Sequence, residues 1–225
     1  MSDDRVLAIG VDIGGTFTDL VLVDEARRTI HSTKILTTPQ EPERAVLDGV
    51  RRILETVGRT ADGIRTLVHG TTLATNAIIE RKGAETLLLT TKGFRDVLET
   101  RTELRYDLYD LFITFPEPLV PRRRRIGVTE RVTYDGAVET PLVRDEVLAA
   151  LEAEAADGIE SVAVCFLHSY TNPAHEVEAK AIIQEARPDL PVTLSSDVLP
   201  EIGEYGRVST TVANAYVQPI IDRYL

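Results

Sequence analysis

The chain carries a single cysteine, more acid than base and no long apolar run, and each shortage closes off a class of protein. One cysteine excludes an intrachain disulfide. That residue, Cys165, lies in the apolar run Val162-Ala163-Val164-Cys165-Phe166-Leu167, with no activating group beside it. It reads as a buried core thiol rather than a nucleophile. Lys and Arg number 25 against 36 Asp and Glu, a net charge of −11. Nucleic acid and anionic membrane would repel such a chain, so neither is expected as a partner. No apolar stretch approaches the roughly 20 residues of a membrane span. The start, Met1-Ser2-Asp3-Asp4, is acidic and leads into a strand-like run, without the look of a signal peptide. A cytoplasmic location is expected. No internal repeat or low-complexity segment is visible. What is present is 43% hydrophobic residues over 225 positions, enough for one large domain or two small ones with an ordinary core.

Residues 6–11, 17–23 and 29–36 are strand-like, and residues 43–57 place Ala45, Val46, Val50, Ile53, Leu54 and Val57 on one helical stripe that Gly58 stops. Antiparallel hairpin strands followed by a helix open a ribonuclease-H-like α/β sheet. A Rossmann start differs, because its glycines introduce a helix. Further on, strands are expected at 66–69, 86–90, 125–134, 161–167 and 192–195. Helices are expected at 73–82, 93–100, 144–156, 173–186 and 203–225. Asp135-Gly136 is a hairpin signal. Pro219 falls inside the last helix, where it removes a backbone hydrogen bond. That helix reads either as a connector with nothing to pack on or as a helix docked on its own sheet.

Between the first two strands stands Asp12-Ile13-Gly14-Gly15-Thr16-Phe17-Thr18-Asp19. Asp12, at the end of a central strand, can hold Mg²⁺ directly or through its waters. Gly14 and Gly15 permit positive φ and close backbone approach, and successive amides in such a turn make an anion-binding nest. Thr16 and Thr18 add hydroxyls. A glycine hairpin with a structural aspartate is the plainer reading of the same residues. A P-loop is excluded: no Gly-x4-Gly-Lys-Ser/Thr pattern is present and no helix follows.

His69-Gly70-Thr71-Thr72-Leu73-Ala74-Thr75-Asn76-Ala77 joins a strand end to a helix start. Thr71 or Thr72 is the expected N-cap, and a helix start beside a strand end suits an anion. His69 and Asn76 are equally readable as structural. Arg95, in Gly93-Phe94-Arg95-Asp96, can clamp a carboxylate or phosphate, or simply pair with Asp96 on a solvated helix. Cys165, His168 and His175 have no zinc spacing; Asn172 as cap, Pro173 in the first turn and Glu176 on the dipole explain that stretch better. Arg122–Arg124 with Arg125 reads as a solvated basic loop, or as a surface for an acidic partner.

Five stretches, residues 10–25, 69–83, 93–101, 165–176 and 200–219, together resemble the N-terminal portion of the hydantoinase/oxoprolinase family, the ATP-dependent hydantoinase A-type subunit. Similarity to actin-like sugar kinases is confined to the first hairpin. The resemblance implies an actin/Hsp70/sugar-kinase (ASKHA) architecture with a ribonuclease-H-like domain over residues 1–200. Residues 201–225 would lead to a second domain. It implies ATP and Mg²⁺ as cofactors and a cyclic amide as substrate, phosphorylated on its carbonyl oxygen before water opens the ring. A related implication is an ATP-dependent ketone carboxylase, and a third is a scaffold without a working site. By position, Asp12 would organise magnesium. Gly14, Gly15, Thr16, Thr18, Thr71 and Thr72 would face phosphate, and His69 and Asn76 the substrate or γ-phosphate, with Arg95 a weaker substrate contact. Members of the family are longer, so a missing C-terminal domain and a B-type partner subunit are expected to complete the enzyme.

Overall fold

The structure, a computed structural model, describes residues 6–38, 41–156 and 158–224. The acidic start and the end of the final helix at Leu225 lie outside the described residues. The chain is an α/β protein that packs as two units: the described residues up to Lys82 with those from Ile220 on, and Gly83–Pro219.

In the first unit, β1 (Leu7–Ile13), β2 (Phe17–Asp24), β3 (Thr29–Leu36) and β4 (Ile64–Thr71) form a mixed sheet in the order β3-β2-β1-β4. β1 runs antiparallel to β2 and parallel to β4, which makes it the central strand predicted for Asp12. Strand alternation sorts its side chains: Leu7, Ile9, Val11 and Ile13 are buried, while Asp12 is exposed. The buried set packs against Ile53, Leu54 and Val57 of α1 (Pro42–Val57). Gly58 ends that helix in the left-handed region, φ 62°, as a glycine C-cap does. Inside α1, Gly49 is a contact glycine, since a Cβ there would come within 2.4 Å of Leu20 Cδ1. β4 is longer than the predicted 66–69, and the helix after it, α2 (Leu73–Ile79), is shorter than the predicted 73–82.

The second unit holds a parallel sheet in the order β10-β9-β5-β6, built from β5 (Thr86–Thr91), β6 (Arg125–Val128), β9 (Ser161–Cys165) and β10 (Val192–Leu194). β5 and β9 are buried on both faces, the mark of a parallel sheet covered by helices. α4 (Arg144–Ala155) and α5 (Ala174–Ala186) supply Val147, Leu151, Ile182 and Ile183 to one core. A second core joins Leu88, Ala163 and Cys165 to Val208, Val212 and Ala215 of α7 (Glu204–Tyr224). The short helices α3 (Val97–Thr100) and α6 (Ser195–Val198) complete the unit.

Several local expectations are corrected. The predicted strand over 125–134 is two, β6 in the sheet and β7 (Arg131–Val132), which pairs with β8 (Val138–Thr140) across the Asp135-Gly136 turn. The predicted helix over 93–100 begins only at Val97. The arginine run is not a solvated loop: Arg124 and Arg125 are buried. Arg124 pairs with Glu85 and Glu154, and Arg122 forks onto Asp96 at 2.7 and 2.9 Å. Glu176 does stand in the first turn of α5, and it is also fully buried, accepting from Phe166 N, Ser195 Oγ and Ser196 N. Asn172 stands one residue ahead of the cap position, its Oδ1 accepting the Ala174 amide at 3.1 Å. The final helix does have something to pack on: Tyr224 is buried in the first unit's core.

Candidate active site

The residues singled out in the first unit gather at the end of β1. The Gly14 amide donates to Phe17 O at 2.9 Å and closes the hairpin turn. Its outer edge is secured by Thr37, whose hydroxyl donates to Gly14 O at 2.9 Å, and by a Thr37 amide bond to Thr16 O at 3.0 Å. Among the described residues, the amides of Gly15 and Thr16 have no acceptor. Two adjacent exposed N–H groups without a partner are what an anion-binding turn offers.

Gly14 serves by its size. Neither Gly14 nor Gly15 takes the positive φ expected of them. A Cβ on Gly14 would come within 3.1 Å of Phe17 O, and one on Gly15 within 3.5 Å of Asn76 Nδ2. The first contact is tight and the second an ordinary one, which brings the start of α2 beside Gly15.

That approach is held by bonds. Thr72 donates from its amide and from its hydroxyl to Ile13 O, both at 3.3 Å, and the hydroxyl accepts from Asn76 Nδ2 at 3.1 Å. The Thr71 hydroxyl accepts the Leu73 amide at 3.1 Å. Thr72 therefore occupies the N-cap position, yet its side chain makes no capping bond and instead ties α2 to β1. Asn76 stands beside Gly15 as a result.

Asp12 lies across from Gly70 on β4, where a Cβ would sit 3.9 Å from Asp12 Oδ1. It makes no hydrogen bond or ion pair among the described residues. Among the described residues no group of three His, Cys, Asp or Glu side chains is placed to hold a metal alone. One carboxylate completed by phosphate oxygens and water is nonetheless an arrangement that suits magnesium. The open turn, the two unpartnered amides and the unpaired carboxylate fit a phosphate with its cation.

Other expected site residues are placed elsewhere. Thr18 is fully buried, its hydroxyl bonded to that of Thr37 at 2.9 Å, so it supports the turn rather than facing a ligand. His69 pairs in register with Val11, one residue out of step with Asp12, and so lies on the opposite face of the sheet. There its ring meets Tyr224, 5.1 Å between centroids, with the phenol oxygen bonded to the imidazole. Arg95 belongs to the second unit, where it is exposed ahead of α3, and Asp96 takes Arg122 in its stead. Cys165 is buried, as expected of a core thiol, and burial pushes it up to about 11. Thr37, Tyr224 and the role of Asp19 opposite Asp12 escaped the sequence. Only the strand register or the tertiary packing reveals them.

A mixed α/β sheet with a glycine turn at the end of its central strand, flanked by helices, defines the fold class. Within it, the chain belongs to the hydantoinase/oxoprolinase N-terminal region family, whose model matches residues 8–187. It is 37% identical to caprolactamase subunit alpha of Pseudomonas jessenii over 96% of this chain and 32% of that protein. The crystal structure of that organism's ATP-dependent caprolactamase superposes with a TM-score of 0.85 over the same shares. Identity to the 5-oxoprolinase of Saccharomyces cerevisiae is 34%, over 97% of this chain and 20% of that one. A nucleotide-free acetone carboxylase structure, from work on ATP-dependent acetone carboxylation, matches with a TM-score of 0.81 at 27% identity, over 94% of this chain and 32% of that one. The chain thus spans about a third or less of the relatives it matches.

Proposed function

We propose that this chain is the phosphate-binding N-terminal part of an ATP-dependent cyclic-amide hydrolase, acting in the cytoplasm on a lactam, hydantoin or oxoproline. The observation that carries the reading is the convergence of Gly15, Thr16 and Asn76 beside an unpaired Asp12. The sheet order β3-β2-β1-β4, with its antiparallel hairpins and parallel fourth strand, supports a ribonuclease-H-like domain of the ASKHA architecture. In this reading residues 1–200 make up the domain, residues 201–225 lead onward, and the remaining length of such enzymes and a B-type subunit complete the site.

Bound ATP and Mg²⁺ would supply a transferable phosphoryl group and neutralise its charge. The chain's own part is positioning. The amides of Gly15 and Thr16 hold phosphate oxygens, with the Thr16 hydroxyl alongside. Asp12 orients the waters of the cation, and Asn76, fixed through Thr72, sets the lateral limit of the site. Phosphoryl transfer needs placement and charge stabilisation more than covalent help. The carbonyl oxygen of the amide would take the phosphoryl group, water would add to that carbon, the ring C–N bond would break with the nitrogen taking a proton, and a second water would cleave the resulting acyl phosphate to carboxylate and inorganic phosphate.

The test is lactam-dependent ATP hydrolysis by the complete enzyme. Asp12→Ala is expected to lower it by ~100-fold or more. Equal turnover in the variant would remove the magnesium assignment. The acetone carboxylase likeness favours a second reading, a ketone carboxylase. Turnover that requires bicarbonate and a ketone, with none on lactams, would select it.

A further inference from the structure

Building on the phosphate-binding reading given above, we propose that Thr37, just past the end of β3, is a positioning residue for the turn at the end of β1. It lies outside the octapeptide, and its part is to aim the Gly15 amide at the ligand.

The turn has one loose joint. The Gly14–Gly15 peptide has glycine on both sides, so no Cβ restrains rotation of its plane. A trans peptide is flat, and its C=O and N–H point in opposite directions. Whatever holds Gly14 O therefore sets where the Gly15 N–H points. The Thr37 hydroxyl holds it, donating to Gly14 O at 2.9 Å. The Gly15 N–H is thereby turned away from Thr37, and it has no acceptor among the described residues. A peptide rotated the other way would offer a ligand the Gly14 carbonyl oxygen instead, an acceptor that repels phosphate.

Thr37 is itself fixed at three points. Its amide donates to Thr16 O at 3.0 Å. Its hydroxyl has one proton, and that proton goes to Gly14 O. In the 2.9 Å bond between the Thr18 and Thr37 hydroxyls, Thr18 is therefore the donor. Thr18 is fully buried and Thr37 half-buried, so water competes little for these bonds. The chain of orientation runs from Thr18 to Thr37 to Gly14 O and so to the Gly15 amide. It gives the buried Thr18 hydroxyl a use at the site it does not itself face.

Calorimetric titration of the complete enzyme with Mg²⁺–ATP, and separately with adenosine, tests the role. Thr37→Val keeps the shape and removes the hydroxyl. It should weaken Mg²⁺–ATP about tenfold, the loss of one hydrogen bond to a charged group, and leave adenosine, which has no phosphate, within about twofold. Thr37→Ser restores the donor and should bring Mg²⁺–ATP back to within about threefold of the unaltered enzyme. Thr37→Val strands the buried Thr18 hydroxyl; if it fails to fold, Thr18→Val with Thr37→Val removes both hydroxyls and should show the same loss for ATP. Unmoved ATP affinity in either folded variant, or no recovery in Thr37→Ser, overturns the role. Equal loss of ATP and adenosine overturns it too, leaving Thr37 a packing residue. Failure of the function proposed above is read separately. Turnover lost in Asp12→Ala but ATP affinity unmoved in Thr37→Val removes this proposal alone, whereas no Mg²⁺–ATP binding by the unaltered enzyme removes both.

Discussion

Asp12 and Asp19 stand directly opposite each other in the antiparallel ladder of β1 and β2, two carboxylates on one face. The next position across the sheet is Lys34, whose Nζ lies 3.2 Å from Asp19 Oδ1. Asp19 therefore has a counterion and Asp12 has none among the described residues. Like charges directly opposite each other across a ladder are destabilising. Asp12→Asn removes the repulsion and leaves the Asp19–Lys34 pair intact. It should stabilise the ligand-free protein by about 0.2–1 kcal/mol at low ionic strength. Salt should shrink the gain. Urea denaturation at two salt concentrations checks this, and a loss of stability at low salt would show that Asp12 has a structural partner. The same change should abolish any added stability that Mg²⁺ with ATP confers on the chain, by linkage between binding and folding.

Tyr224→Phe separates packing from hydrogen bonding at His69. The ring is buried in the first unit's core cluster, so its apolar packing survives the change. Only the phenol–imidazole bond is lost, at an expected cost of about 0.5–1.5 kcal/mol. If His69 is held chiefly through that bond, Tyr224→Phe and His69→Ala will be non-additive in a double-mutant cycle read by urea denaturation. Strict additivity would mean that the bond contributes nothing to stability.

The local elements were legible because their signals are local. The buried alternation of Leu7, Ile9, Val11 and Ile13, the α1 stripe with Gly58 after it, and the octapeptide turn all lie within a few residues of one another. What escaped depends on partners distant in sequence. Thr18 looks like a phosphate hydroxyl until Thr37, nineteen residues on, takes it up. His69 and Asp12 look like neighbours in function until the β1–β4 register puts them on opposite faces. The arginine run looks solvated until Glu85, Glu99 and Glu154 draw Arg124 and Arg125 inward. Gly14 was marked for the wrong reason: its closeness to Phe17 O, rather than positive φ, is what crowds a side chain there.

Cys165 gives a prediction with a definite sign in pH. Burial, the largest influence, raises its thiol from an ordinary 9.0 to about 11, against a smaller pull downward from Arg207. The unfolded chain loses this proton first, so the group's contribution to stability is complete below pH 9 and disappears as the pH climbs towards 11. The loss across that window is on the order of 2–3 kcal/mol. Cys165→Ala leaves a small cavity, a cost that does not vary with pH. The stability gap between the two proteins, measured by urea denaturation, should therefore narrow steadily between pH 9 and 11. Native Cys165 should also resist iodoacetamide at a rate set by unfolding alone. Alkylation as fast in the folded protein as in urea would show the thiol to be accessible and reopen it as a nucleophile.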